Sequence, residues 1–178
     1  MRNLGHRAYA SMNDTAVSIP YAIKAGLGEY GRHGLLITPE LGPRLRIGKV
    51  FTDLPLAHDR PKRFGVEEFC NVCRRCSNDC PPQAITRDDP SDRIYNRSNI
   101  RGVRKWTTDA EKCFSFWVKQ VTDCSICVRV CPYNRDYPRW VNRLRFQLMG
   151  SFLRRPMLWL DSILGGGARR PPKWWWSR

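Results

Sequence analysis

The chain has 178 residues, a formal net charge of +15 and eight cysteines. That length admits one domain or two small ones around a modest core. The charge suits nucleic acid, an anionic surface or an acidic partner protein, but no base-reading motif accompanies it, so nucleic acid is disfavoured, and no stretch approaches the length of a membrane span.

Met1 to Ala10 lacks the apolar core of a secretory signal. From Asn13 to Ala25 a capping residue is followed by Ala16, Ile19, Ala22 and Ile23 at helical spacing. Pro20 interrupts this run, so the helix either kinks or begins there. Gly26, Gly28 and Gly31 then match the dinucleotide fingerprint by letter. The context is wrong for it, because that motif follows a strand and opens a helix, whereas here a helix precedes and the strand-like 35–38 follows. The glycines are better read as letting backbone pass close to a large flat ligand or another segment. Short apolar runs at 35–38 and 45–52, separated by the turn residues of 39–43, predict strands joined by a tight loop. Two strands and one helix are too little to bury a core alone, so this segment reads as part of something larger.

All eight cysteines fall between Cys70 and Cys131, in two groups of four. The first, Cys70, Cys73, Cys76 and Cys80 followed by Pro81, has the C-x2-C-x2-C-x3-C-P spacing of bacterial ferredoxins. The second, Cys113, Cys124, Cys127 and Cys131 followed by Pro132, is a variant with its first cysteine moved upstream. In two-cluster ferredoxins the fourth cysteine of a run ligates the other cluster. On that logic Cys70, Cys73, Cys76 and Cys131 hold one 4Fe-4S cluster, and Cys80, Cys113, Cys124 and Cys127 the other. Disulfides suit small secreted scaffolds, and structural zinc prefers two separated C-x2-C pairs; both fit less well. Two oxidised cubanes would bring the net charge to about +11.

Residues 87–92 form a charged, turn-rich connection. Phe114, Phe116 and Trp117, beside Cys113, are expected to cover a cluster or to pack in the core, since cover of this kind limits solvent access. Residues 141–178 carry eight Arg or Lys and one acid, Asp161, with apolar residues at Leu144, Leu148, Phe152, Leu153, Met157, Leu158 and Leu160. A helix packing back onto the body is expected, with a membrane-surface or partner-docking helix as the alternative. Trp174, Trp175 and Trp176 near the end call for cover.

The runs GLGEYGRHGLLITPELGPRLRIGKVFTDLPL, FGVEEFCNVCRRCSNDCPPQAI, KWTTDAEKCFSFW and CSICVRVCPYN, in this order, closely resemble the C-terminal part of corrinoid-dependent reductive dehalogenases, from about Ser11 to Pro138. The resemblance implies an α+β fold: residues 1–62 as the C-terminal portion of a nitroreductase-like corrinoid-binding domain, 63–140 as a ferredoxin-like domain with two 4Fe-4S clusters, and 141–178 as a basic, Trp-rich helix and tail. It further implies a cobalamin that removes halide from an organohalide, with electrons supplied by a donor protein or a quinol-linked membrane partner at the outer face of the cell membrane. The family's proton-donor tyrosine would fall before Met1, which leaves open whether this chain alone is an enzyme. Asn13 matches a pocket-lining polar position and Arg46 a basic residue that assists the tyrosine; helix capping and plain solvation are their ordinary alternatives. Gly26, Gly28, Gly31, Arg32 and His33 would touch the corrinoid. Arg101 stands where the family tends to have a proline. Two other readings remain: an epoxyqueuosine-reductase-like enzyme acting on tRNA, which shares the corrinoid and two cubanes, and a free-standing two-cluster ferredoxin, which leaves the residues before Cys70 without a use.

Overall fold

The computed structural model describes residues 1–136 and 139–168, so the tryptophans at 174–176 lie outside the described residues. Helices and short strands are mixed in it. Strand β1 (Ala8–Ser11) pairs antiparallel with β4 (Lys49–Thr52), and β2 (Glu29–Tyr30) with β3 (Leu36–Ile37). The two apolar runs expected to pair with each other therefore do not. The second run finds its partner at the start of the chain, and the first folds back onto the glycine loop. Nothing in Ala8–Ser11 alternates clearly enough to announce a strand; its pairing is set by a segment some forty positions away. The ladder leaves Tyr9 and its opposite number Phe51 exposed, at 59% and 45%.

Helix α1 (Ser18–Lys24) starts before Pro20, not at it, and is not broken by it. The proline sits in the first turn, where a missing N–H costs nothing. Asn13 does serve the helix, but from a distance: its Oδ1 accepts from the Ser18 N–H at 3.1 Å.

Four helices carry the cysteine region, namely α2 (Val66–Cys73), α3 (Arg75–Asn78), α4 (Ala110–Gln120) and α5 (Ile126–Arg129). Helix α2 begins at Gly65, in the left-handed region at φ +76°. Its free N–H groups are met by a carboxylate from the other side of the fold. Glu29 Oε2 accepts from Phe64 N at 2.7 Å and Val66 N at 3.0 Å, a favourable place for negative charge. The chain turns at Arg74, also left-handed at φ +51°, and α3 follows at once.

Two further helices, α6 (Trp140–Gly150) and α7 (Arg154–Ile163), pack on each other and on α2. The expectation that the C-terminal region packs back is met by two helices, and only some of the apolar positions turn inward. Phe146 and Met149 are buried, whereas Leu144, Phe152 and Leu160 are exposed. Helix α6 comes so near α2 that a Cβ on Gly65 would lie 2.1 Å from the Gly150 carbonyl oxygen, and one on Gly150 would lie 2.0 Å from that of Phe64. The main core gathers Ile37, Val66, Phe69, Trp106, Tyr133 and Phe146 with Cys70 and Cys131. It thus runs across position 62. Edge-to-face packing of Phe69 on Tyr133, with centroids 5.1 Å apart, lies at its centre.

Helix α7 is fastened by charge. Asp161 is fully buried, and its carboxylate meets Arg75 of α3, Arg135 and Arg145 of α6. Removing one partner of such a buried set leaves the others uncompensated, at a cost of about 3–5 kcal/mol. Asp161→Asn is therefore expected to lower stability by about that amount, read as a fall in the urea midpoint, whereas a substitution at exposed Arg155 leaves the midpoint in place.

Candidate metal centre

Helix α2 presents Cys70 and Cys73 one turn apart, and the left-handed turn at Arg74 swings Cys76 back toward them from α3. Cys131, just past α5, closes the group. These four thiols line one tight, narrow cavity, together with Arg32 and His33. Cys127 lies in α5, Cys113 in α4, Cys124 just before α5 and Cys80 just after α3. Helices α3 and α5 pack together and bring Cys76 near Cys80 and Cys127 around Ile85 and Val130. All eight cysteines are free.

Electrostatics separates the same two sets. Burial raises the Cys131 thiol well above its ordinary range, and repulsion from Cys70, Cys73 and Cys76 adds to this. Burial pushes Cys70 up to about 12 and raises Cys73 and Cys76 as well. In the other set, burial takes Cys127 to about 11, with Cys124, Cys113 and Cys80 as its charged neighbours. Burial likewise raises Cys113, beside Cys80 and Cys124. Between the sets, the charge of Cys127 acts on Cys76, and both Cys80 and Cys127 pack at the cluster that holds Cys76. Against burial, backbone N–H groups of Arg32, Arg75, Val128 and Tyr133 favour thiolate at Cys70, Cys73, Cys127 and Cys131.

This donor set suits iron-sulfur clusters: soft thiolates in two groups of four, with N–H groups turned toward sulfur. Among the described residues, no three His, Cys, Asp or Glu side chains meet closely enough to hold a single ion. A cubane does not ask for that, because each of its four irons takes its own thiolate. The two sets differ in access. Cys70, Cys76 and Cys131 are buried, while all four of the second set are partly exposed.

Of the three aromatics beside Cys113, Phe114 and Trp117 are exposed, at 64% and 37%, as is Val118 of the same helix, while Phe116 is half-buried. The aromatic that closes the first set is Tyr133, absent from the sequence-based candidates, although its place two residues after Cys131 could have pointed to it.

The remaining candidates are turned inward or sit at the edge. A Cβ on Gly28 would lie 2.2 Å from the Ile37 carbonyl oxygen, one on Gly26 would lie 2.5 Å from that of Arg60, and one on Gly31 would strike the Ile37 and His33 side chains. The glycines thus admit this chain's own segments. Arg32 is 1% exposed; its Nε donates to the Cys70 carbonyl at 3.2 Å and its Nη1 to those of Thr86 and Asp88. Asn13 and Arg46 are both exposed and flank the same end of the β1–β4 ladder, at the Ser11–Lys49 pair. No helix among the described residues is long and apolar enough to cross a membrane.

A family described as a 4Fe-4S double cluster binding domain matches residues 69–134. A tetrachloroethene reductive dehalogenase of Desulfitobacterium hafniense is 48% identical over 141 residues, 76% of this chain and 25% of that protein. One from Sulfurospirillum multivorans is 38% identical over 167 residues, 93% of this chain and 33% of its own length. The solved structure of the catabolic reductive dehalogenase NpRdhA superposes with a TM-score of 0.81 at 33% identity, covering 94% of this chain and 24% of that one. An epoxyqueuosine reductase from Streptococcus thermophilus gives 0.53 at 26% identity over 73% of this chain and 34% of its own. The chain thus spans a quarter to a third of the length of the dehalogenases it matches.

Metal loading must displace the protons that burial holds on these thiols. In metal-free protein a thiol such as Cys70, at about 12 in the fold against an ordinary 9.0, keeps its proton after the unfolded chain has lost it. Its contribution to stability is complete below pH 9 and is lost as pH rises from there through the folded value. The urea midpoint of metal-free protein is therefore expected to fall steadily above pH 9, measured by circular dichroism.

Proposed function

The chain corresponds to the C-terminal part of the corrinoid-dependent reductive dehalogenases, and on that premise we propose that it is the electron-relay portion of such an enzyme, acting on an organohalide. The single observation that carries this reading is the sorting of eight thiols into two sets, each mixing both sequence groups. Cys70, Cys73, Cys76 and Cys131 hold one 4Fe-4S cluster; Cys80, Cys113, Cys124 and Cys127 hold the other. Electrons from a donor protein or a quinol-linked membrane partner enter at the more exposed second set. They pass by way of Cys127 and Cys76 to the buried first set, beneath the glycine loop. Membrane association at the outer face of the cell rests on family resemblance.

Residues 1–62 act as the edge of a corrinoid domain. The exposed Tyr9 and Phe51 suit a segment that packs against more protein. When bound, cobalamin supplies the reducing cobalt that takes halide from the substrate. The five residues expected to touch it, Gly26, Gly28, Gly31, Arg32 and His33, are turned to this chain's own backbone and cysteines. Their work is to seat the loop on the first cluster's cavity and exclude water. Asn13 and Arg46, exposed at one end of the β1–β4 ladder, serve as a pocket-lining polar group and a basic assistant to the proton donor.

Anaerobic reconstitution tests the ligand sets. The full chain is expected to bind about eight irons. Cys80→Ser is expected to perturb the EPR signal of the cluster that Cys113→Ser also perturbs, and to leave the cluster sensitive to Cys70→Ser unchanged. Grouping by sequence order, with Cys80 and Cys70 affecting the same cluster, would sink the assignment.

A further inference from the structure

Beside the first cysteine set, two buried nitrogen atoms have no partner among the described residues. Arg32 Nη2 and His33 Nε2 are both out of solvent and accept or donate no hydrogen bond to any described residue. Both side chains line the cavity formed by Cys70, Cys73, Cys76 and Cys131. A buried polar group left unpaired costs free energy comparable to a lost hydrogen bond and calls for an explanation.

The surroundings fix what these atoms can offer. His33 Nδ1 accepts from the Leu35 N–H at 3.2 Å. With Nδ1 accepting, the ring's hydrogen is on Nε2. Arg32 is held on three sides. Its Nε and Nη1 are spent on the carbonyls of Cys70, Thr86 and Asp88, and its plane lies over Trp106 at 4.9 Å. No carboxylate forms an ion pair with it among the described residues. Its remaining N–H groups and its positive charge are therefore directed where thiolate and sulfide charge would collect.

We propose that Arg32 Nη2 and His33 Nε2 donate hydrogen bonds to sulfur of the cluster held by Cys70, Cys73, Cys76 and Cys131, and thereby set its reduction potential above that of the second cluster. This rests on the ligand assignment given above. Reduction adds one negative charge to the cluster, so a fixed cation and two N–H donors stabilise the reduced form more than the oxidised one. At the second set the donor seen is a backbone one, the Ala84 N–H to Cys80 Sγ at 3.3 Å, with neither a guanidinium nor an imidazole among the groups that shift Cys113 and Cys127. The difference makes transfer from the exposed set to the buried set downhill. Arg32 and His33 act through the cluster and are potential-setting residues.

The test is a redox titration followed by EPR on the full chain, reconstituted anaerobically with iron and sulfide. Arg32→Gln is expected to shift the reduction equilibrium of the first cluster at least tenfold toward the oxidised form, about 59 mV for one electron. His33→Phe is expected to shift it several-fold in the same direction, Arg32→Lys to recover part of the loss, and the second cluster to stay where it was. Should Arg32→Gln fail to assemble, His33→Phe decides alone, since it removes one N–H and keeps a planar ring in place. Full iron content with less than a twofold shift in the first cluster would overturn the inference. A wild-type chain that binds only about four irons would instead remove the ligand assignment, and the inference with it.

Discussion

A thiolate cannot stay buried without positive charge at hand, and the architecture answers to that constraint. Three of the four cysteines in the first set are buried deeply enough that their protons are held far more tightly than in water. Desolvation of several like charges in one cavity is tolerable only when metal, N–H dipoles and a cation share the site. The left-handed turn at Arg74, the backbone N–H groups aimed at sulfur and the buried guanidinium of Arg32 all serve this purpose. So does part of the unusual net charge. Basic residues stand inside the fold, against cysteine or against Asp161, as well as on its surface.

The metal chemistry was legible in the sequence because cysteine spacing is a local signal. Three thiols two residues apart wrap a turn whatever the rest of the fold does, and the proposal that each fourth cysteine serves the other cluster rests on the ferredoxin precedent. What the sequence did not disclose depends on single partners far along the chain. The β1–β4 ladder joins Ala8–Ser11 to Lys49–Thr52 with no pattern in the first segment to announce it. Glu29 caps α2 from thirty-odd residues upstream, so no local capping residue marks that helix start. The dinucleotide-like glycine run was set aside on context, and the fold agrees: Glu29 and Tyr30, within the run, form a strand, and α1 precedes it. Aromatic composition near Cys113 misled for a different reason. It cannot say which way a helix faces, and α4 turns Phe114 and Trp117 outward while Cys113 and Phe116 are half-buried.

The two cysteine sets are alike in ligand chemistry and unlike in surroundings. One lies in the main core under a loop contributed by residues 26–34; the other sits at a smaller cluster reached from solvent. A relay gains direction from such inequality, because exposure, hydrogen bonding and nearby charge each move a cluster's potential. The glycine loop is thereby more than a linker between two units. It carries Glu29 to the start of α2 and Arg32 to the cysteine cavity, and it joins the N-terminal segment to the metal region mechanically and electrostatically.

The approach of Gly65 to Gly150 limits how this architecture can drift. Each position faces the other segment's backbone, and backbone has no smaller alternative to offer in return. A side chain gained at either site therefore has no second-site remedy. The spacing between α6 and the start of α2 is thus set by backbone against backbone, and any side chain at either glycine would widen it.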